Sequence, residues 1–161
     1  MLPRVDPLTL PHTGEFEAAL VLTRGALSEG VANLREISEL HGDILMAIIE
    51  RDGEQGNEAQ LAAAVSAYDT AVSAALSPED DIQDTSPFAT LFFKLGRAQS
   101  SAQLLQEAYA SYKSAMKADP KNELGVKSEA LLAMAIDALN SGHINEGAFE
   151  QRLLINALYA F

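Results

Sequence analysis

Pro87-Phe-Ala-Thr-Leu-Phe-Phe-Lys-Leu-Gly-Arg97 opens the stretch whose reading decides the fold. It continues through Glu107, Ala108 and Tyr112 and closes on Ala115 and Asp119-Pro120. Ser86 suits a helix N-cap and Pro87 a first helical turn. Asp119-Pro120-Lys121-Asn122 stops a helix, because proline cannot continue one. Between these signals, Phe88, Phe92, Leu95, Gln99, Ala102, Leu105, Tyr109, Tyr112 and Met116 recur at helical spacing. The stretch therefore reads as helix, either one of about thirty residues or two that turn near Ser100-Ser101.

The same periodicity extends upstream. Glu15 and Glu17 favour a helix start after Thr13. From there Phe16, Leu20, Thr23, Leu27, Gly30, Leu34, Ile37, His41, Ile44 and Ile48 alternate spacings of four and three, which makes a narrow seam on one face. Gly25, Gly30 and Gly42 each weaken such a helix by about 1 kcal/mol relative to Ala. One long helix with soft points and two helices broken near Gly30 both fit. Arg51 to Asn57 reads as a turn, and a second seam follows on Leu61, Val65, Tyr68, Val72 and Leu76. Two seams joined by a short loop predict an antiparallel hairpin.

Ser77 to Ser86 reads as a linker. Its Asp80, Asp81 and Asp84 lack the glycine and closing Glu of a calcium loop. Downstream, a helix is expected from about Glu123 to Leu139, burying Leu124, Leu131, Leu132, Met134, Ala135 and Leu139. Another is expected from about Asn145 to Phe161, on Phe149, Leu153, Leu154 and Leu158. Pro3, Pro7 and Pro11 forbid regular helix at the N-terminus, so residues 1–13 read as an extended arm. The organisation expected is that arm, then one helical domain over 14–161. Within it, 14–77 forms an acidic helical hairpin and 87–161 a neutral helical half. The fold class expected is all-α, about five helices in antiparallel hairpins, as a bundle or a repeat-like array.

Composition narrows function. The 161 residues carry a formal charge of −12 and no cysteine. Residues 1–87 hold 16 acidic and 4 basic side chains, whereas 88–161 hold 7 of each, so the whole net charge sits in the first half. Negative charge repels phosphate, which argues against nucleic acid and anionic membrane as partners. It suits either a basic partner or plain solvated faces. Without cysteine there is no disulfide and no thiolate metal site. No apolar run is long enough to insert in a membrane, and the N-terminus lacks the charged and apolar regions of a signal peptide. A cytoplasmic location or a place within an assembled particle is expected. Leu10-Pro11-His12-Thr13-Gly14 matches the sorting motif of sortase substrates, but at the wrong end of the chain and without its apolar and basic context.

Residues 89–122 resemble one tetratricopeptide repeat, a helix-turn-helix unit of 34 residues. In that family an aromatic residue precedes a Leu-Gly pair; a small residue, an aromatic, an alanine and a proline follow at set intervals. Phe92, Leu95, Gly96, Ala108, Tyr112, Ala115 and Pro120 occupy those positions. Gln99 stands where the family usually has Tyr, and no glycine marks the turn near Gln103. A weaker second unit begins near Glu123, and the first half shows no comparable copy. The resemblance implies a protein- or peptide-binding surface. In size and acidity the chain is also similar to the translocator chaperones of bacterial type III secretion.

Nothing in the sequence selects chemistry. His12, His41 and His143 are scattered, and His41 falls on a helix seam where a hydrogen-bonded core histidine is the commoner role. There is no Glu-x-x-His pair, no phosphate-cradling glycine loop and no nucleophile elbow. The expectation is a non-enzymatic, chaperone-like adaptor with no cofactor and no metal, working through a protein partner or self-association. Candidate contacts are Phe88, Phe92, Phe93, Tyr109, Tyr112 and Phe161, although a buried core explains these aromatics equally well. The alternative is a structural subunit of a secretion, filament or virion assembly, suggested by the arm, the seams and the apolar C-terminal residues.

Overall fold

A computed structural model describes residues 14–30, 33–76 and 85–141. The arm, most of the 77–86 linker, and the expected helix over 145–161 with Phe161 lie outside the described residues. The fold is all-α. Among the described residues there are six α-helices: α1 (Glu15–Ser28), α2 (Leu34–Asp52), α3 (Glu58–Ala75), α4 (Ala89–Ser101), α5 (Leu105–Ala118) and α6 (Val126–Ser141). A single 3-10 turn, Ser86–Phe88, leads into α4 and carries Pro87 in its first positions.

Successive helices run antiparallel. Thr23 meets His41 while Glu17 meets Arg51, so α1 descends α2. Tyr68 meets Asp43 while Asn57 meets Gly53, so α3 returns along α2. Ser111 meets Gln99 beside the turn that joins α4 to α5.

Two breaks divide what the stripes alone join. The first is at Glu29-Gly30, where Gly30 takes φ +70°. The seam from Phe16 to Ile48 therefore lies on two helices, and 14–77 holds three helices rather than a hairpin. Leu34, a seam position, is 41% exposed as a result. The second break decides the central stretch in favour of helix-turn-helix. Leu104 N–H donates to Gln99 C=O at 2.8 Å and Gln103 N–H to Ser100 C=O at 3.0 Å. With Gln103 at φ +64°, this is a Schellman C-cap built without glycine.

The core is made of small residues. Ala64, Ala71, Ala89, Ala98, Ala108, Ala115 and Ala130 are fully buried, so helices approach closely and a few large side chains fill the gaps. One cluster joins Tyr68, Ala71 and Ala75 of α3 to Leu91, Leu95 and Ala98 of α4. A second joins Phe92, Tyr112, Val126 and Met134 across α4, α5 and α6. The buried face of α3 thus runs through Leu61, Tyr68 and alanines, while Leu76 from the expected seam is 41% exposed. On α6, Leu131, Met134 and Ala135 are buried as expected, but Leu132 and Leu139 are 40% and 49% exposed; Leu124, before the helix, is 58% exposed. A rigid corner precedes α6. The buried Asp119 carboxylate accepts from Leu124 N–H and Val126 N–H, and Asn122 Oδ1 accepts from Ser128 N–H.

Candidate functional site

One contact occurs twice. In the second hairpin, a Cβ on Gly96 would lie 2.6 Å from the Tyr112 ring, so only glycine lets α5 seat its tyrosine on α4. In the first hairpin, a Cβ on Gly42 would lie 2.7 Å from the Tyr68 ring. Each tyrosine has a fully buried alanine four residues before it and another three after it: Ala64 and Ala71, Ala108 and Ala115. The first hairpin therefore repeats the geometry of the second, where the sequence showed no copy. The spacing hides it, because Gly42 and Tyr68 are 26 residues apart whereas Gly96 and Tyr112 are 16 apart.

Lys94 on Glu39 and Asp43 holds α4 beside α2, and Ser100 on Asp137 holds α6 beside α4, with Tyr68 and Tyr112 lining the space between these helices. Two clefts open there. One, of about 510 Å³, lies between α2 and α4, with Asp43, Met46 and Glu50 facing Lys94 and Arg97. The other, of about 390 Å³, lies between α4 and α6, with Phe93 and Ser100 facing Leu132, Ile136 and Asp137. Arg97 and Ser101 line both, so the clefts are contiguous. A third cleft, of about 770 Å³, lies between α3 and the turn joining α4 to α5 and meets the first at Glu54 and Ser101; Leu61, Val65 and Leu104 line it beside Glu58 and Asp69.

The polar groups on this face are tied together. Lys94 Nζ donates to Glu39 and to Asp43, both at 3.1 Å, and Tyr68 Oη donates to Asp43 at 2.7 Å. Burial works against the Lys94 charge, but the bonds to Asp43 and Glu39 outweigh it and raise its pKa. Burial, then the Asp43 carboxylate, pushes the Tyr68 phenol far up; burial, then Asp137, does the same to Tyr112. Neither phenol gives up its proton near neutrality. Ser100 Oγ donates to Asp137 at 2.7 Å, clamping α4 to α6. His41, the histidine among the described residues, lies away from that serine: its Nδ1 is 2.6 Å from Thr23 Oγ1 at the junction of α1 and α2. Among the described residues, no group of three or more His, Asp or Glu side chains is placed to hold a metal ion.

Of the aromatics singled out from sequence, Phe92 and Tyr112 are 8% and 2% exposed and belong to the core. Phe88, Phe93 and Tyr109 are half-buried against that core. Phe93 stacks at a tilt on Tyr112, with ring centroids 5.8 Å apart, and both rings line the cleft between α4 and α6. Phe161 lies outside the described residues. Sequence reasoning did not single out Asp43, Lys94, Arg97 and Ile136, which line the clefts. Their signal was the charge and apolarity left on the outer side of helices whose inner side was read first. Among the described residues, no helix is long and apolar enough to cross a membrane. No family model, no curated protein and no solved structure matches the chain.

Proposed function

We propose that the chain is a non-enzymatic protein-interaction adaptor that receives a polypeptide segment along the face of α2, α4 and α6. The observation carrying this reading is the pair of contiguous clefts that share Arg97 and Ser101. They offer apolar seats at Met46, Phe93, Leu132 and Ile136, separated by fixed charges. Such a surface recognises side chains of alternating character, and the acidic first half selects for a basic segment. The resemblance of residues 89–122 to a tetratricopeptide repeat, together with the repeated glycine–tyrosine contact, supports a repeat-like adaptor over a plain bundle.

The test is a peptide array of Lys/Arg-containing apolar segments, followed by titration of its hits. Ile136→Glu and Arg97→Glu, both at exposed positions, should each weaken binding roughly tenfold or more while leaving the fold intact. Absence of any peptide tighter than roughly 1 mM, or hits indifferent to both substitutions, would sink the reading.

A further inference from the structure

Of the glycines inside helices, Gly25 is the one that no contact among the described residues explains. It sits inside α1, where glycine is unfavourable relative to alanine. A Cβ there would meet nothing within 4 Å, in contrast to Gly42 and Gly96. Its φ is not in the left-handed region, so the backbone does not require glycine either. Beside it lie Val21 and Leu22, 65% and 74% exposed, the two most exposed large apolar residues described. Ala18 completes the stripe on the face of α1 that points away from α2.

We propose that α1 is a self-association surface, crossed antiparallel by α1 of a second copy of this chain. The stripe reads small, apolar, apolar, small along Ala18, Val21, Leu22 and Gly25, and it is palindromic. In an antiparallel crossing, Ala18 of one copy faces Gly25 of the other and Val21 faces Leu22. A two-fold axis requires such self-complementarity. The small residues let the backbones approach, which is the use of a glycine whose Cβ position is empty in the single chain. Charge selects the orientation. Glu17 and Arg24 lie on the same flank of α1, two turns apart, and antiparallel pairing brings like flanks together, so each Glu17 meets Arg24 of the other copy. Glu17 already accepts from Arg51 of its own chain at 2.8 Å, and a carboxylate accepts more than one donor. This surface goes beyond the adaptor reading, because no residue lining the three clefts belongs to α1.

One helix crossing is smaller than the interface of a permanent dimer, so association is concentration-dependent. Sedimentation equilibrium of the full chain should show the mass rising from monomer toward dimer between roughly 10 μM and 1 mM. Gly25→Met fills the empty space without touching the monomer core and should shift that curve at least tenfold upward. Leu22→Glu should do the same, with circular dichroism confirming that both variants fold. The cysteine-free chain allows a test of orientation. Mixing Ala18→Cys with Gly25→Cys under mild oxidation should give the mixed disulfide over either homodimer. A wild-type mass that stays monomeric to roughly 1 mM, a Gly25→Met curve unchanged from wild type, or a preference for homodisulfides would each overturn the proposal.

Discussion

Replacing Gly96 by alanine isolates the contact on which the second hairpin is built. The new Cβ would stand 2.6 Å from Tyr112 Cε1, 2.7 Å from Cδ1 and 3.2 Å from Cγ. Carbon atoms rest about 3.5–4.0 Å apart, so the ring must retreat by about 1 Å. It has nowhere to go, being 2% exposed between Ala108 and Ala115, which are fully buried. Overpacking of this kind costs about 1–3 kcal/mol, and the rooted ring puts Gly96 at the upper end. The gain in helix propensity returns about 1 kcal/mol. The expected net is a loss of about 2 kcal/mol, or a melting temperature lower by roughly 4–8 °C. Gly25→Ala is the control of opposite sign: measured at dilution, where the chain is monomeric, it should add about 1 kcal/mol. Urea unfolding followed by far-ultraviolet circular dichroism reads both. Adding Tyr112→Leu to Gly96→Ala should recover at least about 1 kcal/mol as coupling between the two sites. If Gly96→Ala unfolds at the wild-type urea concentration or above, close approach is not what holds α4 to α5.

Four further outcomes follow from particular contacts. Gln103→Gly relieves the left-handed backbone of the C-cap and should stabilise the fold by about 1 kcal/mol in the same urea assay. Asp119→Ala removes the acceptor for the first N–H groups of α6; a loss of about 1–2 kcal/mol and faster amide exchange at Leu124 to Ser128 are expected. Lys94→Met leaves Glu39 and Asp43 facing one another. For this partly exposed cluster a loss of about 1 kcal/mol is expected, recovered when Asp43→Asn is added and reduced in high salt. Burial, then the Arg24 charge, lowers the His41 pKa, so the unfolded chain takes up a proton near pH 6.5 that the fold resists. Stability is full above that pH and should fall between about pH 7 and 5. Thermal melts of His41→Gln should lose that slope, and an unchanged slope would count against a buried neutral imidazole.

Much of the fold was legible because alanine-rich helical stripes with punctuating glycine and proline leave few alternatives to an all-α array. The two breaks were harder. Gly30 gave a hint, but the turn after Ser101 carries Gln103 where such caps usually have glycine, so the stripe ran on unbroken in sequence. Two of the aromatics took the core role for a physical reason. Phe92 and Tyr112 are the large side chains that an alanine core needs to fill its gaps, and that use buries them. The clefts were illegible because they depend on which helices lie side by side, a fact set by contacts such as Lys94 with Asp43 and Ser100 with Asp137. No local spacing reports such a pairing when the intervening chain differs in length. Thr23 and His41 show the same limit: one seam in sequence, yet two helices whose side chains meet at 2.6 Å.

The unequal spacing of those two glycine–tyrosine pairs has a mechanical side. Past Gly42, α2 runs on to Asp52, and α3 sets out from Glu58 well before Tyr68. Past Gly96, α4 stops at Ser101, and α5 starts at Leu105. At 1.5 Å per residue the first hairpin overhangs the second by about 6 Å. Glu54, Glu58 and Leu61 form this ledge, and it walls the 770 Å³ cleft whose other side is the turn at Ser101 to Leu104. The depth of that cleft is thus set by helix length beyond the crossing point, not by the core. Trimming one turn from the end of α2 and the start of α3 would flatten the cleft and leave both crossings standing. The ledge can be lengthened, shortened or reshaped while the packing that holds the chain together stays as it is.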